Sequence, residues 1–177
     1  MIWRQLKRCL YNFIKLIRTI DLLHDYGSFC LQHKGSESVE AGLAMLDRAI
    51  LTHPHFVLPY IVLSRYFMTQ NQFEKAFQIA KEGIQINDKI PDLFHVLGMV
   101  LKEMGQLKEA IEVMEEGMKL ENENPTGMYG DLGLLYSLAG QFTKAKDYYL
   151  RASEINPDYY NAKFNYGLLL LSIWNSR

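Results

Sequence analysis

The chain has 177 residues, the length of one ordinary domain or of an elongated array of small units, and its 49% hydrophobic and 22% charged composition excludes a disordered tract. Lys and Arg number 19 against 20 Asp and Glu, so no global basic field gathers phosphates, which argues against nucleic acid as a partner. Cys9 and Cys30 cannot build a disulfide framework and match no metal motif, which fits a reducing, cytoplasmic compartment.

The near-neutral charge hides an asymmetry, because residues 1–20 hold Arg4, Lys7, Arg8, Lys15 and Arg18 and no acid. Ile2, Leu6, Cys9, Leu10, Phe13, Ile17 and Ile20 recur there at helical spacing, which predicts a basic amphipathic helix over residues 1–22. Three roles stay open for it. It caps the first repeat, or it lies on an anionic membrane surface with Trp3 at the interface, or it is a partner-binding or import helix. The surface concerned is Trp3, Arg4, Lys7, Arg8, Lys15 and Arg18. No run reaches the roughly 18 apolar residues of a membrane span, and no clean apolar region with a small-residue cleavage site follows the basic start.

Beyond residue 22 the chain repeats itself. Gly98 and Gly133 sit 35 residues apart inside apolar helical patterns. From Gly98 the order runs Leu101, Gly105, Leu107, Ala110, Met114, Gly117, and from Gly133 it runs Tyr136, Gly140, Phe142, Ala145, Tyr149, Ala152 at the same offsets. The period extends over 23–56, 57–90, 91–125 and 126–159, with a half repeat over 160–174. Within each unit two apolar stripes recur at three- and four-residue spacing, so both halves read as amphipathic helices. Gly105, Gly140 and Asn71 fall just past the first helix, where a positive φ ends a helix cheaply. His53-Pro54 and Asn156-Pro157 close units, because proline disfavours helical geometry in the residue before it. Small residues mark the helix crossings: Ser64, Gly98, Gly133 and Gly167 in first helices, Ala76, Ala110 and Ala145 in second helices.

These residues resemble the tetratricopeptide repeat. In 126–159 the motif positions are Tyr129, Leu132, Gly133, Tyr136, Ala145, Tyr149, Ala152 and Pro157; 91–125 matches with Phe94, Leu97, Gly98 and Ala110, and 57–90 with Tyr60, Leu63, Ala76 and Gly83. The unit 23–56 departs most, with Gly42 where alanine is usual. The resemblance implies an all-α fold, a right-handed α-solenoid of helix-turn-helix repeats, here with the extra N-terminal helix. It also implies a scaffold or adaptor, or an assembly factor, that catalyses nothing and binds a protein partner in a concave groove. In the family's geometry the groove would be lined by Leu58, Ile61 and Arg65, by Asp92, His95 and Met99, by Asp131 and Leu134, and by Asn161, Asn165 and Leu168. The lining is partly apolar, suiting a helical or extended apolar segment. Gly27, Ile61, His95 and Val96 stand where some family members clamp a carboxylate, so a chaperone-tail receptor of that kind is not expected.

Candidates for chemistry are few. His53 and His55 flank Pro54 without a third metal ligand, and Glu115-Glu116 reads as a solvated helix face. No phosphate-binding, dinucleotide-binding, zinc-protease or nucleophile-elbow motif occurs, so neither a cofactor nor a metal is expected. The last helix, from Tyr160, runs FNYGLLLLSIW. Tyr166, Leu169, Leu170, Ile173 and Trp174 are expected to form a docking surface for another chain, either a second copy or a permanent partner, which makes a structural subunit of a larger complex an alternative function.

Overall fold

The computed structural model of the chain describes residues 21, 23–25, 27–31, 36–120 and 126–175. The described residues between 21 and 31 are helical, and eight helices follow them: α1 (Ser36–Thr52), α2 (Leu58–Thr69), α3 (Phe73–Ile86), α4 (Pro91–Glu103), α5 (Leu107–Leu120), α6 (Thr126–Leu138), α7 (Phe142–Ile155) and α8 (Tyr160–Asn175). No strand occurs among the described residues. The fold is an all-α solenoid. Helices α2, α4 and α6 pair with α3, α5 and α7, each pair stacks on the next, and α2 also lies beside α4 and α6 beside α8.

The turns within the pairs repeat bond for bond. Asn71, Gly105 and Gly140 adopt φ of 57°, 77° and 72°. Their N–H groups donate to the carbonyls of Met68, Lys102 and Ser137, while the next residues, Gln72, Gln106 and Gln141, reach back to Phe67, Leu101 and Tyr136 at 2.9 Å. This double closure satisfies the last carbonyls of each first helix, and the left-handed residue makes it possible. The same three glutamine carbonyls then accept from Ala76, Ala110 and Ala145 at 3.0 Å, opening the second helix, and at Gln72 and Gln141 no side-chain cap assists. Between repeats, Asn87 and Asn156 turn extended, and their Oδ1 atoms accept from Lys89 and Asp158 at 3.0 Å. Proline at the start of α2 and α4 needs no N–H there and has its φ preset for the helix.

The core is one contiguous cluster running from Leu46 to Leu169. Leu93, Leu101, Met114, Leu132 and Tyr149 are fully buried within it. Each such side chain contributes roughly 1.5–3 kcal/mol of transfer free energy, so no pair of helices could hold this core alone. The small residues stand at the closest approaches. A Cβ on Gly98 would lie 2.6 Å from Met114 Cγ, and one on Gly133 would lie 2.6 Å from the Tyr149 ring. In the α2–α3 pair the buried Ser64 hydroxyl instead donates to the Ala76 carbonyl at 2.7 Å.

Candidate functional site

The first helices carry the expected groove residues, and charged pairs knit them together. Arg65 on α2 lies 3.6 Å from Asp92 on α4, both well exposed. His95 on α4 donates through Nε2 to Asp131 Oδ2 on α6 at 2.6 Å, a contact that is three-quarters shielded. The steps α2–α4 and α4–α6 are thus each tied by one pair, the first exposed and the second shielded and strengthened by its lower local dielectric. Around these pairs Leu58, Leu138 and Leu168 are exposed, and Met99 and Leu134 are half-buried. Asn161 is exposed and Asn165 half-buried. At the leading end Ser28, Leu31, Val62, Arg65, Tyr66 and Thr69 line a cleft of about 270 Å³.

Ile61 does not join this face. It is buried in the core cluster, on a helix that packs against both α3 and α4. The terminal docking surface also needs correction. Leu169 is buried and Tyr166 and Ile173 are packed against the core, with the Tyr166 ring 6.4 Å from that of Tyr149. Only Leu170 and Trp174 of that set face outward, in company with Tyr160, Phe164 and Leu171. The basic surface of Trp3, Arg4, Lys7, Arg8, Lys15 and Arg18 lies outside the described residues. Among the described residues no helix is long and apolar enough to cross a membrane.

A cluster on the opposite face went unseen in the sequence. Glu115 is not merely solvated: it accepts from the hydroxyls of Tyr136 at 2.6 Å and Tyr148 at 3.2 Å. The two rings stack with centroids 5.3 Å apart, and Lys144 Nζ sits 4.8 Å above the Tyr136 ring. With Asp147 and Arg151 they line a cleft of about 260 Å³ between α5 and α7. Burial first, then the bond to Glu115, drives the Tyr136 phenol well above its ordinary value, and burial followed by the Glu115 charge pushes Tyr148 up to about 12. Tyr149 is likewise pushed up to about 12 by burial and then by the Asp131 carboxylate. All three stay protonated at neutral pH, so Tyr136 and Tyr148 serve as donors to Glu115 and Tyr149 as a buried ring rather than as bases or nucleophiles. The bonds span 21 and 33 residues across a repeat boundary. No local pattern could have signalled them.

Comparison with known proteins agrees with this architecture. The tetratricopeptide repeat family's pattern matches residues 91–124 and 126–159. Anaphase-promoting complex subunit 3 of Schizosaccharomyces pombe is 23% identical over 143 residues, 81% of this chain and 21% of that protein. The human protein O-mannosyl-transferase TMTC1 is 27% identical over 103 residues, 56% of this chain and 12% of that protein. The chain thus spans about a fifth of the first relative's length and about an eighth of the second's. Among solved structures, Pseudomonas aeruginosa PilF is similar with a TM-score of 0.77 and 17% identity, over 89% of this chain and 70% of that one. YrrB, described as a TPR protein with an unusual peptide-binding site, gives 0.63 and 22%, over 85% and 77%. At such identities the structures share the fold. The chain thus carries two adjacent tetratricopeptide repeats, residues 91–124 and 126–159, and the same turn and small-residue crossing recur in the neighbouring pair α2–α3.

Proposed function

We propose that the chain is a non-catalytic interaction module that holds a polypeptide segment of a partner along the face made by α2, α4, α6 and α8. The observation that carries this reading is the mixed character of that face. Exposed Leu58 and Leu138 stand on helices packed on both neighbours, Leu168 stands on α8 beside them, and the three accompany Arg65–Asp92 and His95–Asp131. Scattered apolar side chains cost little singly, but a row of them on adjoining helices, interrupted by oriented charges, offers area for affinity and charges for register. An amphipathic helix or an extended segment of alternating character complements it.

The similarity to a subunit of the anaphase-promoting complex favours a second form of the same reading, in which the partner is a stable neighbour in a larger assembly rather than a passing ligand. Affinity purification from the native source tests both. The wild type and a control, Leu51→Glu on the exposed end of α1, should retain the same partners, while Leu138→Glu combined with Leu168→Glu should lose them with its helicity by circular dichroism unchanged. Partners retained by the double variant would place the interaction elsewhere. Partners that survive high salt and dilution would mark the permanent form, and partners that wash away the transient one.

A further inference from the structure

In every other described first helix the crossing position is filled. Ser64 bonds to the Ala76 carbonyl, Gly98 is covered by Met114, and Gly133 by Tyr149. At Gly167, the same position of α8, an added Cβ meets nothing within 4 Å. The side chains around it are large, apolar and uncovered: Tyr160 is 76% exposed, Phe164 67%, Leu170 48%, Leu171 60% and Trp174 77%. Ala162 and Leu169, on the far side of the helix, are buried.

These residues are placed symmetrically about the glycine. Counting from Gly167, Phe164 and Leu170 lie at minus and plus three, Lys163 and Leu171 at minus and plus four, and Tyr160 and Trp174 at minus and plus seven. Three, four and seven are the offsets that share one face of an α-helix. From the large exposed apolar side chains at five of these six positions, with an uncovered glycine at their centre, we infer that α8 is the interface of a homodimer, in which two copies of the helix cross antiparallel on a two-fold axis at Gly167. Such an axis sets each residue against the one at the opposite offset. Trp174 of one copy meets Tyr160 of the other, Leu170 meets Phe164, and Leu171 meets the stem of Lys163. Gly167 meets itself, and the missing side chain permits the close approach that glycine gives the Gly98 and Gly133 crossings.

Electrostatics and area agree with a second copy as the occupant. Lys163 is the sole charged residue from Tyr160 to Trp174, and the axis sets it against Leu171, so no like charges meet. Aromatic side chains bury about 150–250 Å² each. At the exposures above, with the two leucines, the stripe offers on the order of 600 Å² per copy, or about 1,200 Å² for the pair, the lower edge of the standard size for a specific interface.

The test is the mass of the full chain by light scattering across a dilution series, because area alone does not set the affinity. The wild type should have twice the mass of one chain and dissociate on dilution. Gly167→Glu and Gly167→Lys should each be monomeric, since each puts its charge against its own copy. Both should keep wild-type helicity, because the site is open and both residues favour helix over glycine. Leu170→Glu and Phe164→Lys should each weaken the dimer alone, and an equimolar mixture of those two should recover it, because the axis sets residue 170 of one copy against residue 164 of the other. A monomeric wild type, a dimer that survives both charges at residue 167, or a mixture that stays monomeric would each overturn the inference. The groove variant Leu138→Glu stands on α6, away from this helix, so with it alone loss of the partner and loss of the dimer are separable.

Discussion

Replacing each crossing glycine by alanine separates helix propensity from helix approach. In an exposed helix interior the change stabilises by about 1 kcal/mol, because glycine loses more backbone entropy on folding. At Gly167 the added Cβ meets nothing within 4 Å, so Gly167→Ala should gain about 1 kcal/mol at dilutions where the chain is monomeric. At Gly133 the Cβ falls 2.6 Å from Cδ1 and Cε1 of Tyr149, a fully buried ring with no space to swing into. At Gly117 it falls 2.5 Å from Cβ of Phe94, an atom that moves only with the backbone of α4. Overpacking costs roughly 1–3 kcal/mol, so after the propensity gain these two variants should lose about 0–2 kcal/mol. Gly83 falls between them, since its nearest neighbour is Leu93 Cδ2 at 2.6 Å, the far end of a flexible side chain. Urea unfolding with unchanged m-value gives the order: Gly167→Ala above wild type, Gly83→Ala near it, Gly117→Ala and Gly133→Ala below. A Gly133→Ala chain as stable as Gly167→Ala would refute the close α6–α7 crossing.

Two further outcomes concern the tyrosine cluster. Glu115→Ala leaves the buried Tyr136 hydroxyl without its acceptor and should cost about 1–3 kcal/mol, and a double-mutant cycle with Tyr136→Phe should return a coupling of about 1–2 kcal/mol; additive losses in urea unfolding would mean the bond contributes nothing. Alkaline pH should weaken the fold, because the unfolded phenols ionise near about 10 while Tyr148 and Tyr149 hold their protons to about 12. Between those values the native chain binds more protons than the unfolded one, so stability is intact below the lower value and falls as pH rises. For the fully buried Tyr149 the loss approaches about 3 kcal/mol by the upper value, and denaturation midpoints across that range should fall less steeply in Tyr149→Phe, whose lysines titrate identically.

What the sequence disclosed and what it concealed follow different physical rules. The turns were legible because a positive φ at Asn71, Gly105 and Gly140 restricts residue choice, and the crossings because a Cβ at Gly98 or Gly133 has nowhere to go. Backbone constraints of this sort act within one repeat and recur at its period. The placement of Ile61, Tyr166, Leu169 and Ile173 was not legible, since a first helix is apolar on the side that meets its own pair, on the side that meets the neighbouring repeat and in part on the open face. Composition cannot tell which of three apolar sides is covered. Glu115 escaped for a related reason, as both tyrosines that fix it belong to the next repeat.

The outer face adds a constraint on the order of the repeats. Asp47, Lys81 and Glu115 stand at one position of successive second helices, and Lys75, Glu109 and Lys144 at another position one repeat later. Asp47 and Lys75 line one cleft, Lys81 and Glu109 the next, and Glu115 and Lys144 the third. At these matched positions each of the three clefts joins opposite signs, and the signs reverse from one to the next. Exposed pairs contribute little to stability one by one. Their effect is selective instead: stacking α3 directly against α7 would set Lys81 against Lys144, and like charges at matched positions disfavour that register. The alternation stops at α7, where the corresponding residue is Leu150, apolar and partly exposed. The charge code thus specifies contacts only among the repeats up to α7. The α8 end presents hydrocarbon, and recognition there rests on shape at Gly167 rather than on sign.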